Sequence, residues 1–134
     1  MLEKIISGGQ TGVDRAALDI ALDLGIPYGG WCPKGRIDEL GTIPGKYNLK
    51  EIEGNFQTEK ENYDARTKMN IHDSDGTLIL VPSIPLPGHI KDGTLLTIEE
   101  ASRSSKPYLI INLSSLNNNE SCVEWIKAND IYIV

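Results

Sequence analysis

Residues 2–24 read Leu-Glu-Lys-Ile-Ile-Ser-Gly-Gly-Gln-Thr-Gly-Val-Asp-Arg-Ala-Ala-Leu-Asp-Ile-Ala-Leu-Asp-Leu. The apolar run from Leu2 to Ile6 stops at Ser7-Gly8-Gly9. Beyond it Val13, Ala17, Ile20, Ala21 and Leu24 recur at the spacing of one helix face. Gly25 and Pro27 then close the helix, and Thr11 with Asp14 three residues on predicts a capping box at its start. Strand, glycine loop and helix N-terminus follow in that order, the local arrangement of an α/β nucleotide- or phosphate-binding unit.

Working outward, a second short strand is expected from Ile26. It leads into Gly29-Gly30-Trp31-Cys32-Pro33-Lys34-Gly35-Arg36, and Gly and Pro recur to Gly45. That segment reads as a long ordered loop, of the kind that is usually functional. Thr58 to about Ile71 predicts a helix with Tyr63, Arg66, Thr67 and Asn70 along one polar stripe. Asp73-Ser74-Asp75-Gly76 is a turn, and Thr77 to Val81 is apolar enough for a strand covered on both faces. Gly93-Thr94 opens a helix to about Ser105, Tyr108 to Leu113 is a buried strand, Glu120 to Asn129 a helix, and Ile131 to Val134 a final edge strand. Strands alternating with helices predict an α/β fold, a Rossmann-like doubly wound and mostly parallel sheet of about five strands.

With 134 residues the chain is expected to form a single domain. It is 40% hydrophobic and 24% charged, ordinary for a globular protein, and no apolar run is long enough for a membrane span. Met1 runs straight into the first strand without a signal-peptide pattern, so a cytoplasmic location is expected. Cys32 and Cys122 stand 90 positions apart without a Cys-x-x-Cys pair, which predicts neither a disulfide framework nor a zinc site. A net charge of -6 argues against nucleic acid as a partner and predicts that an anionic small molecule would need a locally positive pocket.

The candidate pocket starts at Gly8, Gly9, Gln10, Thr11 and Gly12, where backbone N–H groups can approach an oxyanion and the helix N-terminus adds partial positive charge. The segment matches neither Gly-x-x-x-x-Gly-Lys-Ser/Thr nor Gly-x-Gly-x-x-Gly, so the nucleotide classes defined by those loops are not implied. Lys34 and Arg36 beside Trp31, in a loop containing Gly35, can supply charge-assisted hydrogen bonds and a stacking face. Asp73 and Asp75 can orient hydroxyl or amino groups, and Gly93 with Thr94 at a second helix N-terminus offers another oxyanion contact. No calcium loop fits around Asp73, because Ile71 and Pro82 fall where carboxylates are needed, and neither His72 nor His89 has metal-ligand partners at useful spacing.

Gly8-Gly9-Gln10-Thr11-Gly12-Val13-Asp14-Arg15-Ala16-Ala17, then Gly29 to Arg36, then Asp73-Ser74-Asp75-Gly76-Thr77-Leu78-Ile79 together resemble the molybdenum carrier family, over most of the chain. That family stands among Rossmann-like domains related to molybdenum-cofactor carriers, cytokinin-activating phosphoribohydrolases and nucleotide-sensing modules. The resemblance implies a phosphate loop of Gly8, Gly9, Thr11, Gly12, Asp14 and Arg15, with Trp31, Lys34 and Arg36 closing over the ligand. It implies that Tyr63, Arg66 and Asn70 complete the pocket, and that the ligand is the molybdenum cofactor (molybdopterin) or a nucleotide. Related folds often associate, so a homo-oligomer is compatible with it.

The phosphoribohydrolases carry a catalytic Glu in Pro-Gly-Gly-x-Gly-Thr-x-x-Glu, whereas here Gly93-Thr94-Leu95-Leu96 is followed by Thr97, and Pro87 to Thr94 carries added residues. No catalytic residue is therefore assigned. The leading expectation is binding of a phosphate-bearing pterin- or nucleotide-like molecule. The alternatives are a hydrolase of N-glycosidic or phosphate bonds, using Asp14, Asp73, Asp75 or Glu99, and a sensory or interaction module.

Overall fold

The computed structural model describes residues 2–88, 91–115 and 118–134; His89 lies outside them. Strand β1 (Ile5–Ile6) is followed by helix α1 (Val13–Leu24), which buries Leu18 and Ala21 and ends at Gly25 in the left-handed conformation. The expected Thr11–Asp14 capping box does not form. Gly12, at φ 87, is the N-cap without a side-chain hydrogen bond, and the Thr11 hydroxyl turns to another partner described below.

The second strand expected from Ile26 forms, and the segment after it, expected as one long loop, contains three more short strand elements. Strand β2 (Tyr28–Gly29) and strand β3 (Trp31–Cys32) flank Gly30, whose φ of 134 interrupts the run, and β4 (Ile37–Asp38) and β5 (Gly41–Thr42) form an antiparallel hairpin. After β6 (Lys50–Glu51) comes α2 (Glu59–Asp73), capped by Thr58, whose hydroxyl accepts from the Glu61 N–H. Then follow β7 (Thr77–Val81), α3 (Lys91–Arg103), β8 (Tyr108–Asn112) and α4 (Asn118–Ala128). Gly93 and Thr94 thus lie inside the first turn of α3.

The α/β class is as expected, but the strands form small sheets. Among the described residues β1 pairs with β2, β3 with β6 and β7 with β8, all parallel, and β4 with β5 antiparallel. Residues 132–134 link the pieces: the Glu3 and Lys4 N–H groups donate to Tyr132 O, Ile6 N–H to Val134 O and Val134 N–H to Lys4 O, while Asp75 N–H, just before β7, donates to Ile133 O. Residues 131–134, expected as an edge strand, make one bridge, Ile133 to Lys4, with Asp75 bonded on the opposite side. They lie between two neighbours because β1 and the turn before β7 both reach them.

Leu18, Cys32, Ile43, Tyr47 and Leu49 form a buried cluster beneath the glycine loop, with Tyr28 packed against it. Ile79, Val81 and Ile111 of β7 and β8 are buried with Ala101 of α3 and Ile131. Burying a side chain such as Leu18 or Val81 stabilises by about 1.5–3 kcal/mol relative to exposure. Loop and helix α1 therefore rest on an apolar floor that holds the site above it.

Candidate functional site

The glycine loop leaves no room for side chains at its first positions. A Cβ at Gly8 would overlap the guanidinium of Arg66, and one at Gly9, at φ 77, would come within 2.6 Å of Leu49 Cδ1. Glycine at position 8 is therefore what lets Arg66, from the middle of α2, lie across the loop. Its Nη1 donates to Asp14 Oδ2 at 2.8 Å, and the same oxygen accepts the Gln10 N–H at 3.3 Å. The Ser7 hydroxyl donates to the Asp14 carbonyl at 2.7 Å and accepts from the Gly9 N–H.

Arg15 reaches the loop from the other side, donating through Nε and Nη2 to the Gly9 carbonyl at 3.3 and 2.9 Å. Its Nη2 also pairs with Asp38 Oδ2 at 2.8 Å, and the guanidinium carbon lies 5.1 Å from the centre of the Tyr47 ring. The hydrogen bond from Arg15 is the main reason the Asp38 carboxyl sits below its ordinary pKa. The Tyr47 hydroxyl donates to Asp19, which raises the phenol's pKa and fixes the ring beneath Arg15.

Thr11 points to the β4–β5 hairpin, where its N–H and Oγ1 donate to Glu39 Oε2 at 3.1 and 2.7 Å. Gln10 Nε2 donates to the Ile37 carbonyl at 3.0 Å. Gln10 is 6% exposed, and its Oε1 and the Nε of Arg66 are buried polar atoms without a hydrogen-bond partner. Half-buried Tyr63 stands nearby; burial pushes its phenol up, and the charges of Glu59, Glu39 and Asp38 add to that.

Helix α2 presents Asn62, Arg66 and Asn70 at four-residue spacing, which places them on one face. Asn62 accepts from the Lys34 N–H at 2.7 Å and donates to the Lys34 carbonyl at 3.0 Å. Asn70 does the same to Trp31, at 2.7 and 2.9 Å. Each amide thus serves the chain at residues 31–34 as a neighbouring strand would, with Arg66 held between them over Gly8.

The structure brings Gly8, Gly9, Gln10, Thr11, Asp14, Arg15 and Arg66 into one connected group, with Gly12 as the helix cap. The other expected residues are engaged elsewhere. Arg36 Nη2 donates to the carbonyls of Pro44 and Tyr47 at 3.0 and 2.9 Å, pinning residues 44–47. Lys34 Nζ donates to the Gly54 carbonyl, and the Gly35 N–H to Glu51. Trp31 Nε1 donates to Asp73 Oδ2 at 2.8 Å; hydrogen bonds from His72, and then from Trp31, lower the Asp73 pKa. Asp75 Oδ2 accepts the N–H groups of Tyr132 and Ile133 at 3.0 and 2.9 Å. Asp75 precedes β7 and so marks the N-terminal edge of a strand parallel to β8, whereas the glycine loop leaves the C-terminal end of β1. Among the described residues, the Gly93 carbonyl accepts from Thr97, and no hydrogen bond joins Gly93 or Thr94 to the loop.

Sequence reasoning did not single out Asp38, Glu39 or Asn62. An arginine beside a glycine loop requires an acidic partner, and Asp38 just after Arg36 offered one to Arg15, whereas nothing in the sequence marked Glu39 as the partner of Thr11. Asn62 extends the Arg66–Asn70 spacing by one more turn. Among the described residues, no group of three or more His, Cys, Asp or Glu side chains is placed to hold a metal ion, and no helix is long and apolar enough to cross a membrane.

A family model described as the circularly permutated YpsA SLOG family, cpYpsA, matches residues 5–134. No curated protein matches the chain. The crystal structure of a putative molybdenum carrier protein from Syntrophus aciditrophicus SB is 43% identical, with a TM-score of 0.83, over 98% of this chain and 78% of that one. Its name agrees with the family resemblance carried by the glycine-loop, Trp31 and Asp73 motifs. On the match across residues 5–134, the chain belongs to the circularly permutated YpsA SLOG family.

Proposed function

We propose that the chain binds a phosphate-bearing pterin- or nucleotide-like small molecule at the glycine loop and acts as a carrier, with the molybdenum cofactor as the leading ligand class. The carrying observation is Arg66: its guanidinium lies where a Cβ of Gly8 would be, while its buried Nε has no hydrogen-bond partner. A buried donor without an acceptor is costly, and an oxyanion is the acceptor that a guanidinium beside backbone N–H groups fits best. The neighbour's name supports the carrier role.

The donor set suits the phosphate end of such a cofactor. Arg66, the loop N–H groups from Thr11 onward and the start of α1 would hold the phosphate. Gln10 Oε1, the unpartnered acceptor, would take an amino or hydroxyl group of the ligand. Molybdenum would arrive as cargo on its organic ligand. On this reading the parallel strand pairs are pieces of one Rossmann-like sheet, which the backbone hydrogen bonds of residues 132–134 to β1 on one side and to Asp75 on the other support. A cytoplasmic carrier without nucleic-acid or membrane partners is the corresponding setting.

The test is a thermal-shift panel of inorganic phosphate, mononucleotides, pterin phosphates and molybdate on the wild-type chain and on Arg66→Gln. A ligand at 100 times its Kd adds about 2.7 kcal/mol. The expected outcome is a selective shift for one phosphate-bearing class, lost in Arg66→Gln. No shift with any compound would remove the binding function.

A further inference from the structure

We propose that Glu39 is a resident anion of the glycine loop, and that the ligand's phosphate must displace it, so the β4–β5 hairpin gates the site. This rests on the binding function proposed above and assigns its regulation. The Glu39 carboxylate takes both donors of Thr11, the backbone N–H at 3.1 Å and the hydroxyl at 2.7 Å. Thr11 directly precedes Gly12, the N-cap of α1, so these donors stand at the positive end of that helix. The carboxylate therefore occupies the position that an incoming oxyanion would use.

Among the described residues Glu39 forms no ion pair: the two nearby guanidinium groups are taken, Arg15 by Asp38 and Arg66 by Asp14. What holds it is the loop itself. The gate is also lightly built. Glu39 and Leu40 are the two turn residues of a hairpin with only the pairs Ile37–Thr42 and Asp38–Gly41, and Leu40 is 87% exposed, so no packing holds the tip. The base of the hairpin is fastened separately, by Asp38 to Arg15, by Gln10 Nε2 to the Ile37 carbonyl and by the Ile43 N–H to the Arg36 carbonyl. The tip can therefore swing away while its base stays anchored.

A second observation points to a ligand at this place. Gln10, next to Thr11 and 6% exposed, keeps Oε1 without a partner although its Nε2 is bonded. The Thr11 donors are thus satisfied by Glu39, while the buried Gln10 Oε1 beside them is an acceptor that a donor group of the ligand, not its phosphate, would meet. A phosphate brings more charge and more acceptor oxygens than a carboxylate, so it can replace Glu39 on Thr11 and recruit further N–H groups.

The experiment titrates inorganic phosphate into the wild-type chain, Glu39→Gln and Glu39→Ala, following affinity by calorimetry and the Thr11 amide by nuclear magnetic resonance. Glu39→Gln keeps the size and removes the charge. Glu39→Ala removes the acceptor as well, so one variant suffices if the other folds poorly. The expected result is phosphate binding at least tenfold tighter in the variants, with the Thr11 amide shifting on titration in all three proteins. Equal or weaker binding in the variants would overturn the gate and leave the binding function standing, since Glu39 would then be a brace for the loop. No phosphate binding in any of the three would overturn the gate, and the binding function would then be decided by the nucleotide and pterin-phosphate arms of the panel above.

Discussion

Strands β7 and β8 pair over five residues each and bury Ile79, Val81 and Ile111, whereas between Ile5 and Glu51 no strand exceeds two residues. The N-terminal region is held instead by side chains bonded to backbone. Asn62 and Asn70 grip Lys34 and Trp31, Arg36 pins residues 44–47, Arg15 holds Gly9, and Glu39 holds Thr11. Apolar burial tolerates a change of shape if volume is kept, but a directional hydrogen bond to a particular backbone group does not. The region carrying the candidate site is thus specified residue by residue, and the C-terminal region by bulk.

The largest expected effect tests that contrast at its tightest point. Gly30 has a φ of 134, and a Cβ there would overlap the Ser7 carbonyl, at the step where Ser7 N–H bonds Gly29 O. Gly30→Ala combines a strained backbone with a clash against backbone that cannot move aside. It is expected to cost about 3–5 kcal/mol in urea unfolding. A cost within about 1 kcal/mol, inside the range of ordinary substitutions, would break the contrast.

Next come the two amide clamps. Asn62→Ala or Asn70→Ala leaves one backbone N–H and one C=O of a partly buried segment without partners, at about 2–3 kcal/mol each. The two residues are eight apart on α2, about 12 Å, so their effects are expected to add. A double variant costing much less than the sum would mean that residues 31–34 detach as one unit when either clamp is cut.

Much of this was legible in sequence, and what was not has a common cause. The order of β1, glycine loop and α1 follows from a short apolar run, three glycines and a 3.6-residue period. The polar stripe of α2 was visible because residues four apart share a helix face. Asp38 and Glu39 are ordinary turn residues until the fold carries them to Arg15 and to Thr11, 23 and 28 positions away. Such pairings leave no local periodicity. The reverse happened at Trp31, Lys34 and Arg36, whose chemistry suited a ligand but whose polar groups close internal contacts. Residues 131–134 looked like an edge because nothing local reveals that Asp75 bonds them from the far side.

Lys106 extends the contrast to the join between the regions. Its Nζ donates to the carbonyls of Ile71, His72 and Ser74, closing the C-terminal end of α2. Lys106→Met keeps the stem and is expected to cost about 1–2 kcal/mol, less than a clamp because the Ile71 carbonyl keeps the Ser74 N–H and hydroxyl as donors and the His72 bond is exposed. In the C-terminal region itself, Ile79→Val should cost only about 1 kcal/mol, the price of one methylene in a packed sheet. Unfolding midpoints of the two variants place them on one scale, and a greater loss at Ile79 than at Lys106 would reverse their order.

The smallest expected effect concerns acid. Asp38 is held below its ordinary value of 3.8, chiefly by the hydrogen bond from Arg15. A depressed carboxylate contributes stability that is present above the unfolded-state pKa and is lost as pH falls through the folded-state pKa. The stability gap between the wild-type chain and Asp38→Asn should therefore hold steady from neutral pH down to about 5. It should shrink once pH drops below 3.8. Asp73 is depressed in the same direction by His72 and Trp31, so the wild-type acid limb alone does not assign the effect, and the difference between the two proteins does. Urea midpoints at several pH values supply that difference. A gap that stays constant or widens toward low pH would show that the Arg15–Asp38 contact acts by shape alone, and that the loop region owes its specificity to packing as the C-terminal region does.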